Sequence, residues 1–126
     1  MASSSAELER ALMIAASRGA AEAIGILLNK GANPNARDAA TGATPLVIAA
    51  GGGHDKVARG LLKRGADANA KDAATGYTAL MIAAAKGHVD FTKTLLEFDA
   101  DVNAQAEDGS TALIMAAAGG QKEIVE

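Results

Sequence analysis

Residues 75–88, TGYTALMIAAAKGH, combine a leading threonine, an apolar run and a closing Gly-His pair. Similar features return along the chain at a nearly constant interval. Leu-Leu pairs recur every 34 residues, at 27–28, 61–62 and 95–96. The threonine of a TPL or TAL motif recurs after 34 and then 33 residues, as Thr44, Thr78 and Thr111. Self-similarity at such a period is the signature of a repeat architecture. We therefore interpret residues 75–88 as part of a repeating unit rather than as the wall of a reactive pocket.

The change of period from 34 to 33 residues has a definite place in the unit. DAATGAT and DAATGYT carry three residues between Asp and Gly, whereas the third copy, AEDGST, is one residue shorter. A length change in a surface turn is well tolerated, while in a helix it would rotate every later side chain. We expect the missing residue to lie in a turn.

Each unit contains the signals of two short helices. Thr44 is suited to cap a helix, and Pro45 follows at the first helical position, where no backbone N–H is needed. Gly53 ends this helix because glycine readily adopts the left-handed conformation. HDKVARGLLKR predicts a second helix, ended by Gly65. Asp99 stands where a glycine is expected in the next unit, which predicts slight local weakness.

These motifs resemble the ankyrin repeat. The resemblance is carried by Asp38, Gly42, TPLVIAAGGGH and LLKRGADANA, and again by Asp72, Gly76, TALMIAAAKGH and LLEFDADVNA. It implies an all-α solenoid of stacked helix–turn–helix units with β-turn finger loops. We expect a flexible tail and one domain: 1–5 tail, 6–37 amino-terminal capping-type unit, 38–71 repeat, 72–105 repeat, 106–126 incomplete repeat.

The chain departs from the family's T-P-L-H motif at two positions. The proline survives only as Pro45, with Ala79 and Ala112 in its place in the later copies. The histidine that follows T-P-L in the family is replaced in all three copies, so the polar link that it makes between neighbouring repeats is expected to be missing; the replacements are Val47, Met81 and Ile114. The last unit stops two positions before its Leu-Leu pair. We expect either a frayed final helix or an apolar end face covered by something else. We favour a monomer over a dimer, and keep self-association through the carboxyl-terminal end as an alternative.

Composition and motifs argue against several function classes. The chain has no cysteine, a net charge of −3 without a basic stripe, and no apolar run near the ~20 residues of a spanning helix. His54 and His88 occupy equivalent places without further ligands, so we interpret them as structural residues that bond to backbone at the turn between helices. The threonines are helix caps, and no G-x-S-x-G motif is present. We predict no enzyme activity, cofactor or metal, no binding to nucleic acid or membrane, and an intracellular, cytoplasmic location.

Protein recognition is the function that the resemblance implies, through the finger loops and the exposed concave face of the first helices. Carried onto this chain, the predicted partner-binding residues are Arg18, Ala43, Thr75, Tyr77, Lys86, Glu107 and Ser110. Interface hot spots favour Trp, Tyr and Arg, so Tyr77 is the expected anchor; the alternative is that Tyr77 only packs on its neighbouring finger. A second alternative for the whole chain is an engineered or truncated scaffold without a selected partner, which the many alanines and glycines of this surface favour.

Overall fold

The fold consists of consecutive helix pairs. The computed structural model describes residues 4–125, apart from the side chain of Glu123. Within this range the helices are α1 (Ser5–Arg18), α2 (Ala21–Asn29), α3 (Pro45–Gly52), α4 (Asp55–Lys63), α5 (Ala79–Lys86), α6 (Val89–Glu97), α7 (Ala112–Ala118) and α8 (Lys122–Val125).

The start of α1 differs from the expected tail. The Ser4 hydroxyl accepts a hydrogen bond from the Glu7 backbone N–H at 3.1 Å, which makes Ser4 the N-cap, and Ser5 is already helical. Assigning these two residues to a flexible tail was wrong, because the serine supplies the acceptor that an open helix end needs. Residues 1–3 of the predicted tail lie outside the described residues.

The predicted caps of the first helices are confirmed. In each copy the threonine hydroxyl accepts from the backbone N–H three residues later, at 3.3 Å; the caps are Thr44, Thr78 and Thr111. Pro45 occupies the first position of α3, as predicted. Gly53 and Gly87 end α3 and α5 in the left-handed conformation. Local chemistry therefore determines where these helices begin and end.

The helix pairs stack along one direction. The first helices form one row, in which α1 contacts α3, α3 contacts α5 and α5 contacts α7. The second helices form a parallel row from α2 through α4 and α6 to α8. The core is spread along the stack, with Leu12, Leu46, Leu80 and Leu95 each buried between neighbouring elements. The protein is an all-α repeat solenoid, which confirms the predicted architecture.

A loop precedes each of the last three helix pairs, and we call residues 38–43, 72–77 and 106–110 the first, second and third fingers. The first is closed by a hydrogen bond from Asp38 N–H to the Ala43 carbonyl at 2.9 Å, and the second by the equivalent bond. The third is closed from Ala106 N–H to the Ser110 carbonyl at 2.9 Å, so it spans one residue fewer. The residue missing from the third copy therefore lies in a turn, as predicted.

The last helix pair ends in an apolar face. Helix α8 packs on α7 and contacts α6. Leu113 and Ile114 of α7 nevertheless remain more than half exposed. The opposite end is also apolar, because Ile14 and Ile26 project from α1 and α2 with more than half of their surface exposed. The expected amino-terminal capping unit thus lacks the polar outer face that terminal repeats normally carry.

Candidate protein-binding surface

The three fingers lie side by side because two glycines allow close approach. Gly42 has a φ of 72°, and a Cβ added there would collide with the Ala73 side chain of the second finger. Gly76 has a φ of 74°, and its added Cβ would lie 3.2 Å from the backbone nitrogen of Glu107 in the third finger. A side chain at either glycine would both strain the backbone and separate the loops. The fingers therefore form a continuous row.

Two basic side chains connect the bases of the fingers. Arg37 donates from Nη1 to the Lys71 carbonyl at 2.7 Å, and Lys71 donates from Nζ to the Gln105 carbonyl at 2.7 Å. Sequence reasoning missed this row, although the signal was present in the 34-residue spacing of the three positions. Because these hydrogen bonds hold both cations against backbone, they are less available to a partner than their exposure suggests.

The tips of the fingers are organised by their own polar side chains. In the second finger, Asp72 accepts from the Ala74 N–H at 2.6 Å and from the Thr75 hydroxyl at 3.0 Å. Thr75 also accepts from the Tyr77 N–H at 3.2 Å, so its hydroxyl is engaged within the loop although the residue is exposed. In the third finger, hydrogen bonds from Ser110 lower the pKa of Asp108.

The predicted contact position at the end of each finger is buried in the first copy and half-buried in the other two. The Ala43 side chain, a predicted contact, is buried with 7% of its surface exposed, so it offers little surface to a partner. It is covered because the short methyl group lies against the core of the stack. Tyr77, at the equivalent position, is half-buried and packs on the same core while leaving part of its surface accessible. Ser110 is also half-buried.

The predicted cations lie at the far ends of the first helices. Arg18 ends α1 and Lys86 ends α5, at equivalent positions, and Gly52 takes this position in α3 between them. All three are exposed. Two helix spacings of 8–10 Å place Arg18 and Lys86 about 16–20 Å apart. Lys86 and Tyr77 are separated by the length of α5, about 12 Å at 1.5 Å per residue.

The predicted residues therefore form a strip rather than a compact cluster. The second and third fingers bring four of them together: Thr75, Tyr77, Glu107 and Ser110. Glu107 is exposed beside Gly76. Lys86 lies at the other end of α5, and Arg18 lies two helices further along the stack.

The histidines connect neighbouring helix pairs beneath the strip. His54 Nε2 lies 3.3 Å from the Ser17 carbonyl, and His88 Nε2 lies 3.3 Å from the Gly51 carbonyl. In the last pair Gln121 takes the same role and donates from Nε2 to the Ala85 carbonyl at 3.2 Å. The link expected of a histidine after T-P-L is missing, since Val47 and Met81 are buried apolar residues, but a different position supplies a polar link between the pairs. The predicted structural role of the histidines is retained, but their partner is the preceding helix pair rather than the local turn.

An open groove of about 590 Å³ lies between α1 and the first finger. Glu9, Arg10 and Met13 of α1 line one side, and Arg37 and Asp38 line the other. Each wall carries one acid and one base, so the groove has little net charge. It was not predicted, because it depends on how α1 stacks on the following loop.

The described residues contain neither a metal-binding cluster nor a membrane-spanning helix. Between residues 4 and 125, no three His, Cys, Asp or Glu side chains are arranged to hold a metal ion. None of the helices in this range combines the length and apolar character needed to cross a membrane. The exposed strip is the candidate site that remains.

The comparison with curated proteins gave no match. A protein-family model described as ankyrin repeats, in three copies, matches residues 3–72 and 70–126. The two matched segments together cover nearly the whole chain, and they contain the stacked helix pairs, the fingers and the threonine caps described above. The chain belongs to the ankyrin repeat family.

Proposed function

We propose that this protein is a non-catalytic interaction module that binds a partner protein through its fingers and the concave face of its first helices. Ankyrin repeats are generally protein–protein interaction modules, and the family is typically non-catalytic. The partner-binding residues that we propose are Arg18, Thr75, Tyr77, Lys86, Glu107 and Ser110. The proposal includes a cytoplasmic location, with which a cysteine-free chain is compatible.

One observation carries this proposal: the strip contains exposed side chains that the stacking of helix pairs does not use. Lys86 and Arg18 provide positive charge at the helix ends, and Glu107 provides negative charge at the third finger. Tyr77 provides the aromatic surface between them, and such residues dominate interface energetics. Gly52 and other small exposed residues nearby would let a flat or helical partner approach the first helices closely.

The position of the binding surface can be tested by site-specific cross-linking. A photoreactive side chain at position 86 faces the proposed strip, while the same group at position 63 lies at the exposed end of α4, in the row of second helices. A partner that binds the strip should cross-link from position 86 and not from position 63. Equal cross-linking from both positions, or cross-linking from position 63 alone, would place the binding surface elsewhere.

The role of Tyr77 can be tested once a partner has been captured. Tyr77→Ala should weaken binding by tenfold or more, about 1.4 kcal/mol, because it removes the expected hot spot. Tyr77→Phe keeps the aromatic surface and should retain most of the affinity. If Tyr77→Ala binds as tightly as the unaltered protein, the tyrosine only packs on the core and is not the anchor.

A scaffold without a selected partner is the second candidate. It is favoured by the small residues at the exposed ends of the first helices, which include Gly52, Ala118 and Gly119. Such small residues offer few side chains that could anchor a partner protein. This candidate predicts that neither photoreactive position captures any protein reproducibly.

A further inference from the structure

The tip of the third finger differs chemically from the tips of the other two. In the first and second fingers the hydroxyls of Thr41 and Thr75 each accept a hydrogen bond from the backbone N–H two residues later, at 3.2 Å. Asp108 takes this place in the third finger, and its Oδ1 accepts from the Ser110 N–H at 2.9 Å. Aspartate and threonine both form this kind of turn. The third finger therefore uses a carboxylate where its neighbours use a hydroxyl.

A carboxylate at this place can react with its own backbone, whereas a hydroxyl cannot. Gly109 follows Asp108, and the bond from the Ser110 N–H closes a ring that contains the Gly109 nitrogen. The carboxyl group is thus held next to the peptide bond whose nitrogen can attack the side-chain carbonyl carbon. Threonine has no carbonyl carbon in its side chain, so the same turn is inert in the first and second fingers.

The residue that follows Asp108 makes it unlike every other aspartate in the chain. The Asp–Gly pair occurs once in the 126 residues, no Asn–Gly pair is present, and each other aspartate precedes a residue that has a side chain. Glycine has no Cβ, so nothing on Gly109 shields its nitrogen or hinders closure of a five-membered ring. Asp108 and Gly109 are also exposed, so water reaches both of them. The third finger thus combines the reactive side chain, the unhindered nitrogen and the access of water.

Two features of the folded finger slow this reaction without preventing it. The Gly109 N–H donates to the Ala106 carbonyl at 2.9 Å, which restrains the backbone on one side of the reacting atoms. The hydrogen bonds from Ser110 lower the pKa of Asp108, and an ionised carboxylate gives up an oxygen less readily than the protonated acid. The reaction is therefore slow in the folded protein and follows fluctuations that open these bonds.

We propose that Asp108–Gly109 is the site at which this chain converts an aspartate to isoaspartate. The Gly109 nitrogen bonds to the side-chain carbonyl carbon of Asp108, the C–OH bond breaks, and the hydroxyl leaves as water with the hydrogen of that nitrogen. Water then opens the five-membered imide. Attack of water on the main-chain carbonyl carbon of Asp108 leaves Gly109 bonded through the side chain, so the backbone gains one methylene group. The conversion needs no reagent other than water.

The product changes the finger between two residues of the proposed binding surface. The lengthened backbone lies between Glu107 and Ser110, and the carboxyl group that accepted from the Ser110 N–H becomes part of the main chain. This consequence rests on the proposed function: a partner that contacts Glu107 and Ser110 should bind the isoaspartyl form more weakly. The conversion itself depends only on the chemistry of the third finger.

Ageing of the purified protein tests the proposal. The unaltered protein and Asp108→Thr are incubated at neutral pH and body temperature, digested, and mapped by electron-transfer mass spectrometry, which distinguishes aspartate from isoaspartate. Isoaspartate should accumulate with time at residue 108 and at none of the other aspartates. The finger of Asp108→Thr should form none, since threonine keeps the hydrogen bond that the other fingers use but cannot close the imide. Circular dichroism checks that both proteins are folded throughout.

The proposal is overturned if isoaspartate at residue 108 is no more abundant than at the other aspartates, or if the same peptide of Asp108→Thr accumulates as much. The isoaspartyl form, separated by hydrophobic-interaction chromatography, then tests the consequence with the partner that cross-links from position 86. If both forms bind that partner equally, the modification site is retained and Glu107 and Ser110 are not contacts. If no partner cross-links from position 86, the proposed function fails, while the conversion is still measured on the free protein.

Discussion

At the residue scale, glycine has opposite effects at two positions that are close in sequence. Gly25 lies inside α2 without a positive φ, and a Cβ added there meets no atom within 4 Å. Gly31 follows the same helix with a φ of 101°, which L-residues rarely adopt. Its equivalent in the third unit is Asp99, the one described non-glycine residue with positive φ, at 63°. Glycine inside the helix is less favourable than alanine, whereas glycine after the helix fits the left-handed turn without strain.

Substituting alanine at these two positions should therefore change stability in opposite directions. Gly25→Ala should raise the free energy of unfolding by about 0.5–1 kcal/mol, because it restricts the unfolded chain without a steric cost. Gly31→Ala should lower it by about 1 kcal/mol or more, because alanine is strained at positive φ. Urea unfolding of both variants measures the difference. A stabilising Gly31→Ala would contradict the backbone conformation described for this turn.

At the scale of elements, polar side chains hold neighbouring helix pairs in register. His88 reaches the last turn of α3, and Gln121 reaches the last turn of α5 in the same way. On the opposite row, Arg59 of α4 donates to Glu97 of α6 at 2.9 Å and to the Thr94 hydroxyl at 3.2 Å. Each link joins adjacent pairs, so it adds to the apolar contact between the same two helices.

The histidine link should depend on a donor rather than on an imidazole ring. His88→Ala should cost about 0.5–1.5 kcal/mol of stability, the usual range for a lost hydrogen bond. His88→Gln should recover most of this loss, since glutamine already makes the equivalent bond in the last pair. Thermal or urea unfolding of the two variants tests the idea. If His88→Gln is no more stable than His88→Ala, a side-chain donor at position 88 is not what holds the two helix pairs together.

The ion pair between α4 and α6 predicts a pH dependence. The hydrogen bond and positive charge of Arg59 lower the pKa of Glu97, so the pair stabilises the folded protein above the ordinary glutamate pKa of about 4.3. This stability is lost as the pH falls through the lowered pKa, because the carboxyl becomes protonated in the folded protein. The protein should be slightly more stable than Glu97→Gln at neutral pH, and the gap should vanish in acid. If the difference in stability between the two proteins persists at the lowest pH at which both fold, the ion pair is not its cause. The effect is small because both side chains are exposed.

The sequence predicted the local features of these elements well and the contacts between them less well. Thr44 and Gly53 mark helix ends through chemistry that lies within a few residues, so their roles could be inferred from spacing. The burial of Ala43 could not, because it depends on how the finger packs on the core. Likewise, the spacing of His88 showed that it repeats, but not that its ring reaches the preceding helix pair. Residues whose environment comes from the neighbouring unit were the ones misjudged.

At the scale of the whole molecule, stability comes from contacts between neighbours in a row. Each helix packs on its partner and on the adjacent pairs, and the first pair is separated from the last by two intervening pairs. In such an array the stability is approximately a sum of unit and nearest-neighbour terms. Damage at one end should therefore remain local, and the end pairs should open more readily than the middle ones.

Hydrogen exchange of the Leu12→Ala variant, followed by mass spectrometry, tests this account most directly. Leu12 is fully buried in α1, and its truncation should cost about 2–5 kcal/mol. A linear stack predicts that exchange accelerates in α1, α2 and α3, while the amides of α7 exchange at the rate of the unaltered protein. If the amides of α7 accelerate as much as those of α1, the helices share one cooperative core and the linear stack is wrong.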